Sequence, residues 1–219
     1  MPVTELAWFI GAQGPIGDEI KNAMNQALIV QDEWCARNIP TLPKDREARG
    51  VALFRQVEDP SIVVLTAHWE SVAQHGIWLN SPENKTVYSS LKDHFQKVVL
   101  CHVENAQFFD ASGPDGSISL LKSPIVGITT VTVPNEKRKE FEQAWIAKKH
   151  ILEEYTPVVK YGWRIEKEDE SLEQMILSAP WPSVEKHMEF AKGKDFPQFQ
   201  DAILSFSKAQ DVKHYERIL

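Results

Sequence analysis

The chain contains the same seven-residue pattern twice, and this repeat constrains the fold more than any other feature. Residues 69–75 and 181–187 both read Trp-x-Ser-Val-x-x-His, at an offset of 112 positions. Matches at the same offset extend over residues 50–107 and 162–219, which align without a gap. A repeat of this length indicates a duplicated structural unit. The 219 residues therefore predict two similar halves, each within the usual size range of a domain.

The spacing of apolar residues predicts the same order of elements in each half, namely strand, helix, strand, strand, helix, strand. Ser71 and Gln74 have the spacing that is typical of a helix N-terminus. In the first half we expect strands at 6–10, 51–56, 62–67 and 98–104, and helices from 16 to about 38 and after Ser71. In the second half we expect strands at 125–133, 161–165, 173–178 and 212–218, and helices at 136–155 and after His187. Ser183 repeats the N-cap of Ser71, so His187, like His75, is expected in the first turns of a helix.

This order is that of the ferredoxin-like unit, whose antiparallel four-stranded sheet has helices on one face only. The sheet face without helices needs a partner, and each half can provide one for the other. The predicted fold class is therefore α+β, with two tandem ferredoxin-like repeats packed as one α/β barrel within the chain. Glycine and proline at 113–116 favour a linker at 110–124, between halves at 1–109 and 125–219.

Composition excludes several classes of function. The net charge of −7 argues against a nucleic-acid surface, which needs clustered cations. No apolar run is long enough for a membrane span, and the N-terminus has no secretory signal pattern. Cys35 and Cys101 are too few for a disulfide framework and are expected to be buried thiols, so a cytoplasmic location is predicted. Neither a glycine-rich phosphate loop nor a nucleophile elbow is present in the sequence.

The repeated motif also carries a family resemblance. The first half reads Trp69, Ser71, His75 and Ser81-Pro82, and the second half repeats the first three of these residues. This pattern resembles the antibiotic biosynthesis monooxygenase family of dimeric α/β barrels. The resemblance implies a small-molecule enzyme, either a cofactor-independent monooxygenase or a cyclase. Its substrate would be an aromatic or polyketide-like compound in a cavity between sheet and helices.

Two histidine-carboxylate pairs are the first candidates for catalysis. His102 and Glu104 are two positions apart and so project from one face of the fourth strand, and His214 and Glu216 repeat the arrangement. The opposite face, with Cys101 and its apolar neighbours, suits the helix-covered side, so we expect His102 to face the space between the sheets. There an imidazole oriented by a carboxylate could act as a general base. The alternative is a buried polar pair that holds the halves in register, and its recurrence in both halves favours this alternative.

The end of the third strand supplies further candidates. His68 and Thr66 share a strand face, whereas Pro180 stands at the position of His68 in the second half. This asymmetry favours a site in the first half, with His68 as a second candidate for the base and Thr66 as a substrate-binding group. The alternative for His68 is a solvent-exposed position at the end of the strand. Trp69 is a packing anchor or a substrate contact, and Arg55 could hold an anionic substrate unless it lies at an exposed sheet edge. His75 and His187 are expected to be structural.

Two functions from other classes stay open at this stage. One is a non-catalytic ligand-binding or stress-associated barrel whose interior is filled by side chains, and the other is a haem-binding barrel. A His-x-Glu pair on a strand supplies only two metal ligands, so no metal site is predicted. The expected partner is a small hydrophobic or aromatic molecule without a cofactor, and a homodimer through an outer surface is left open.

Overall fold

The computed structural model describes residues 1–104, 107–113, 116–156 and 158–219. The strands are β1 (Val3–Gly11), β2 (Ala52–Gln56), β3 (Ile62–Trp69), β4 (Phe95–Glu104), β5 (Ile125–Pro134), β6 (Lys160–Trp163), β7 (Leu172–Trp181) and β8 (Ala209–Arg217). The α-helices are α1 (Asp18–Asn38), α2 (Val72–Leu79), α3 (Pro82–Leu91), α4 (Arg138–Lys148), α5 (His150–Glu153), α6 (Val184–Phe190) and α7 (Phe196–Leu204). Short 3₁₀ turns lie at Glu47–Arg49, Lys92–His94, Leu120–Lys122 and Asn135–Lys137.

The strands form one antiparallel sheet in the order β4-β1-β3-β2-β8-β5-β7-β6, so each half contributes four neighbouring strands. β2 and β8 join the halves at one seam. At the other seam a single bridge pairs Val103 with Arg164, and the Ile165 amide donates to the His102 carbonyl at 2.8 Å. The sheet thus closes into a barrel, and the prediction of two ferredoxin-like repeats packed within one chain is confirmed.

The interior of the barrel is filled by side chains from both halves and from the segment that connects β4 to β5. Phe108, Phe109, Leu120 and Leu121 of this segment are at most 1% exposed. They pack in one apolar cluster with inward-facing residues of the strands, among them Cys101 and its neighbours. Burial of such large apolar side chains is the main favourable term in folding. These four residues of the connection are therefore part of the core.

The helices cover the outer face of the sheet, and their ends follow the capping residues. The Ser71 hydroxyl accepts from the Gln74 amide at 3.1 Å, which confirms the predicted start of α2. Ser183 caps α6 in the same way, so His187 lies in the first turns of this helix, as predicted, and a further helix, α7, follows it. The helix predicted at 136–155 is divided after Lys148 into α4 and α5. Among the described residues, no helix combines the length and apolar character that crossing a membrane requires.

The strand register corrects the expected alignment of the two halves. Ala52 pairs with β3 at the position where Lys160 pairs with β7, so the second strands are related by an offset of 108. From the third strands onward the offset is 112, and the second hairpin is therefore four residues longer. The ungapped alignment was wrong over this stretch. Its match of Gly50 to Gly162 is coincidental, since Gly50 precedes β2 and Gly162 lies within β6.

Candidate active site

Each half holds a pair of histidines in direct contact, of which His75, His102 and His214 are buried and His187 is partly buried. Nδ1 of His75 lies 2.8 Å from Nε2 of His102, and Nδ1 of His187 lies 2.8 Å from Nε2 of His214. The serine caps place His75 and His187 at the start of their helices, where each ring stacks on the preceding tryptophan. The ring centroids are 4.5 Å apart for Trp69 and His75 and 4.2 Å apart in the second half. The repeated Trp-x-Ser-Val-x-x-His motif thus builds the same constellation twice.

A carboxylate from the opposite half orients each pair. Glu166, which follows β6, has Oε1 2.6 Å from His102 Nδ1, and its Oε2 accepts from the His102 amide at 2.7 Å. Glu58, which follows β2, has Oε1 2.5 Å from His214 Nδ1 and accepts from the His214 amide at 3.1 Å. Each site is therefore completed across a seam of the barrel.

These contacts assign the protons. A carboxylate accepts only, so Nδ1 of His102 donates to Glu166 and Nε2 of His102 accepts from Nδ1 of His75. Nε2 of His75 then carries a lone pair. Burial lowers the pKa of His75, and the Glu5 carboxylate opposes this effect. The neutral ring that results at neutral pH can take up a proton through Nε2.

Burial and neighbouring charges also shift the pKa values of His187, Glu58 and Glu166. Burial and, to a smaller extent, the neighbouring His214 lower the pKa of His187 to about 4 against the opposing effect of Glu58. For Glu166 and Glu58, burial would raise the pKa, but hydrogen bonds from the histidine ring and amide outweigh it and lower the pKa of both carboxyls. Both carboxylates therefore stay ionised and hold the rings in one orientation.

The two sites differ at one position of the first strand of each half. The buried Glu5 side chain accepts from Trp69 Nε1 at 2.7 Å, and its Oε2 lies 3.3 Å from His75 Nε2. The strand register places Gly127 at the corresponding position in the second half. Nε1 of Trp181 consequently has no hydrogen-bond partner among the residues that the structure describes. Among the described residues, the first half therefore has a first-strand carboxylate beside Nε2 of His75, whereas the second half has no side chain at the equivalent position beside His187.

A cavity lies between sheet and helices in each half. The N-terminal cavity, of about 190 Å³, has Glu5 and His75 side by side at its polar end, and Gln31 also lines its wall. Oε1 of Gln31 is buried and has no hydrogen-bond partner within the described ranges. The rest of its wall is mostly apolar and includes Met24, Leu28, Leu53, Trp78, Val87 and Leu91. The C-terminal cavity, of about 280 Å³, is lined by Trp181 and His187 together with Leu152, Leu177, Phe190, Phe199 and Ile203.

Comparison with solved structures establishes the fold. An anthrone oxidase-like protein is 10% identical, with a TM-score of 0.67 and coverage of 100% of this chain and 92% of the other. The chain has the fold of the dimeric α/β barrels, with both halves in one polypeptide. A candidate monooxygenase from Lactobacillus acidophilus NCFM is 11% identical, with a TM-score of 0.56 and coverage of 99% and 93%. A mutant chlorite dismutase from Candidatus Nitrospira defluvii is 9% identical, with a TM-score of 0.58 and coverage of 100% and 92%. No family model and no curated protein matches the chain.

The cavities of this α/β barrel do not fit a haem group. Pockets for drug-sized ligands have volumes of about 300 Å³ and more. The two cavities, of about 190 and 280 Å³, lie below that range, and a porphyrin is larger than such ligands. No step of the chemistry below is therefore assigned to haem.

The expected orientation of His102 was wrong. Cys101 and Val103 face the barrel interior, so His102 faces α2, and His214 faces α6 in the same way. The physical reason is that both faces of β4 are buried. The positions of its apolar residues therefore do not show which face points into the barrel. Since Nε2 of His102 is occupied by His75, the ring nitrogen nearest to Glu5 in the N-terminal cavity belongs to His75. Catalysis by His102 or His214 stays a prediction, in the role of a positioning residue.

Glu104 and Glu216 do not orient the histidines as expected. Glu104 accepts from Arg138 at 2.8 Å, and Glu216 accepts from Arg55 at 2.5 Å. Both are ion pairs at the seams, because these side chains lie at strand positions where the two halves meet. The pair formed by Arg55 and Glu216 places Arg55 within the joined sheet and outside both cavities.

His68 and Thr66 face the barrel interior and line neither of the two cavities. Nε2 of His68 accepts from the Phe109 amide at 3.0 Å, and the Thr66 hydroxyl donates to the Gly50 carbonyl at 2.7 Å. Burial lowers the pKa of His68 to about 4. At 6% exposure His68 is not the solvent-exposed strand end that was the alternative. Trp69 is buried as a packing residue and also binds Glu5.

Sequence reasoning missed Glu5, Gln31 and Glu166 and treated His75 as structural. Glu5 was detectable, because a carboxylate among the apolar residues of a first strand is unusual on a helix-covered face. Glu166 was hidden by the offset of 112, which aligned Glu58 with Glu170. The register shows that Glu166 has the role of Glu58.

Proposed function

We propose that the chain is a cofactor-independent oxygenase that removes a proton from a small aromatic substrate in the N-terminal cavity. The observation that supports this proposal is the placement of His75 beside the buried Glu5 at the polar end of an otherwise apolar cavity. A buried histidine whose pKa is lowered by burial and which lies beside a carboxylate in such a cavity is a typical feature of a catalytic site. The substrate class is a fused-ring phenol or ketone with an activated methylene group, and the anthrone oxidase-like neighbour agrees with this class.

His75 is the proposed general base. Its Nε2 takes a proton from the substrate, and the imidazolium that forms is stabilised by Glu5 at 3.3 Å and by the chain through His102 to Glu166. Ion pairing of this kind is strong where water is excluded. The unpaired Oε1 of Gln31 accepts from a substrate hydroxyl and so orients the ring system. Glu5 and Gln31 are thus assigned to substrate positioning and charge stabilisation.

The electron-rich substrate then reacts with dioxygen in the apolar cavity. The methylene carbon loses both hydrogens and gains one oxygen atom as a carbonyl group. The second oxygen atom leaves with the two hydrogens as water, so one dioxygen is consumed for each substrate. Conversion of the methylene group to a carbonyl group is a four-electron oxidation of the carbon, and these four electrons reduce one dioxygen to the carbonyl oxygen and one water. The protein supplies only the base and the dry, shaped site.

The experiment uses the full chain with anthrone, and it follows dioxygen uptake and quinone absorbance. We expect His75→Ala to lower kcat/KM by about 10²- to 10⁴-fold, which is the usual contribution of a general base. His187→Ala removes the corresponding ring in the second half and is the matched control, with a rate within about twofold of wild type since only the first half contains Glu5. Equal losses in both variants, or a His75→Ala enzyme as active as wild type, would overturn the assignment.

A cyclase is the second candidate, because the same base would form an enolate for an aldol closure. Dependence on dioxygen separates the two reactions. Turnover of a polyketide-like ketone under anaerobic conditions, abolished by His75→Ala, would support the cyclase and displace the oxygenase.

A further inference from the structure

The C-terminal cavity differs from the N-terminal one by the absence of a single carboxylate. In the first half the Glu5 carboxylate lies between the indole N–H of Trp69 and the ring of His75. In the second half Trp181 and His187 have the same mutual stacking, but Gly127 replaces the glutamate. The second half therefore keeps the groups that surround a carboxylate and lacks the carboxylate itself.

The indole N–H of Trp181 is the direct sign of this vacancy. Trp181 is 3% exposed, and its Nε1 has no hydrogen-bond partner in the described part of the chain. A methyl group built on Gly127 would lie 3.0 Å from this nitrogen and 3.4 Å from Cε1 of His187. The side-chain space at Gly127 is thus bounded by the atoms that bind Glu5 in the other half. Buried polar groups are nearly always paired, so an unpaired indole N–H at a cavity wall points to a ligand.

The rest of the C-terminal cavity suits an apolar molecule. Its volume of about 280 Å³ exceeds the 190 Å³ of the first cavity. Besides His187 and the indole N–H, the polar residues Thr129, Gln210 and His214 also line the cavity. Most of the remaining wall consists of aromatic and aliphatic side chains such as Phe190, Phe199 and Ile203. A ligand that fits must combine one compact polar group with a hydrophobic body.

We propose that the C-terminal cavity binds a small hydrophobic monocarboxylic acid, whose carboxyl group takes the place that the Glu5 carboxylate has in the first half. One oxygen accepts from Trp181 Nε1. The acid binds together with its proton, which lies between the other oxygen and Nε2 of His187. The first half already holds this set of groups, with Glu5, His75, His102 and Glu166, so the arrangement is compatible with the fold. This site is independent of the reaction proposed for the N-terminal cavity.

The test uses benzoate and its neutral analogue methyl benzoate with the full chain. Calorimetry measures affinity, and nuclear magnetic resonance follows the ¹⁵N-labelled indole N–H groups. We expect the resonance that disappears in Trp181→Phe to move on addition of benzoate, and the resonance that disappears in Trp69→Phe to stay. The affinity for benzoate should fall by about tenfold in Trp181→Phe and by less than about twofold in Trp69→Phe. Methyl benzoate should bind at least about tenfold more weakly than benzoate.

Gly127→Ala is the second variant, because its methyl group fills the space beside Trp181 Nε1 without removing the indole. It should weaken benzoate binding in the same way and so keeps the proposal testable if Trp181→Phe does not fold. Equal effects of the two tryptophan variants, equal affinities for benzoate and methyl benzoate, or an unshifted Trp181 resonance at millimolar benzoate would each overturn the proposal. None of these outcomes bears on anthrone turnover by His75, so the two proposals fail separately.

Discussion

The two halves share a scaffold and differ in what they place at its cavity. Both have a tryptophan stacked on a histidine, a second histidine behind it and a carboxylate from across the seam. The first half adds Glu5 and the unpaired Gln31, whereas the second has Gly127 and a larger apolar cavity. The comparison shows that the duplicated constellation is the structural framework. Within this framework His75 is the proposed base, and the unduplicated Glu5 and Gln31 are the reason why we assign chemistry to the first half. Gly127 is the reason why we assign ligand binding to the second half.

The largest expected effect comes from the carboxylates that cross the seams. Glu166→Ala should lower kcat/KM for anthrone by about a hundredfold, or about 2.7 kcal/mol, because His102 then no longer holds the His75 ring. Glu58→Ala should change this rate by less than about twofold. Both variants should lose about 1–3 kcal/mol of unfolding free energy, since each leaves a buried histidine N–H unpaired. Rate measurement and urea denaturation together test the prediction, which a parallel loss of rate in both variants would contradict.

Gly50 tests a packing difference between the halves. It has a φ of +62°, and a methyl group there would lie 2.5 Å from the His68 ring. Gly50→Ala should therefore destabilise the chain by about 2 kcal/mol, measured by urea denaturation. Gly76→Ala is the control, because Gly76 lies in α2 with open space around it and should gain up to about 1 kcal/mol. A neutral Gly50→Ala variant would show that the His68 ring can move aside.

His68 also predicts how stability depends on pH, and its counterpart in the second half is Pro180. Its pKa falls from 6.5 to about 4 on burial, so between these values the unfolded chain binds more protons than the folded chain. The stability due to this group is complete above pH 6.5 and is lost as the pH falls through about 4. His68→Gln keeps an acceptor for the Phe109 amide and should reduce the slope of unfolding free energy by about 1.4 kcal/mol per pH unit in this window. An unchanged slope would mean that His68 is protonated in the folded state.

The smallest expected effect compares the two seams. Arg55 and Glu216 are 37% and 43% exposed, so Arg55→Gln should cost at most about 0.5 kcal/mol. Arg138 pairs with Glu104 and with Glu173, which is 3% exposed, and its guanidinium lies 4.4 Å from the centre of the Trp163 ring. Arg138→Gln should therefore cost about 1–2 kcal/mol. Thermal or urea unfolding of both variants measures the difference, and equal costs would show that the seams are equivalent.

Most of the fold could be predicted from the sequence because its signals are local. The repeated motif, the serine caps and the apolar periodicity each depend on residues within one turn or strand, and they led to the correct order of elements. The four-residue shift in the second hairpin could not be read, since scattered identities such as Glu58 and Glu170 agreed with the wrong offset. The inward face of β4 was equally ambiguous, because burial on both sides removes the alternation that marks an interior.

The candidate site was only half predictable for a related reason. His102 and His214 were visible because they recur, and the repeat draws attention to what the halves share. Glu5 is unmatched, and Glu166 reaches His102 from the other half of the chain, 64 positions away. Contacts of this kind depend on how the seam closes, so only the assembled barrel shows which carboxylate serves which histidine.

Each half supplies the carboxylate that orients the histidine pair of the other half, Glu58 for His214 and Glu166 for His102. This arrangement determines whether the sites stay intact when the protein is diluted. In a barrel assembled from two chains, each imidazole would lose its carboxylate whenever the subunits separate, and the fraction of intact sites would depend on protein concentration. Here the linkage makes that encounter intramolecular, so site integrity is the same at nanomolar and millimolar protein. Cutting the chain between β4 and β5 would give two fragments, each of which keeps its own pair of histidines. The carboxylate that orients each pair would then be in the other fragment. Only mixing the fragments would restore both sites.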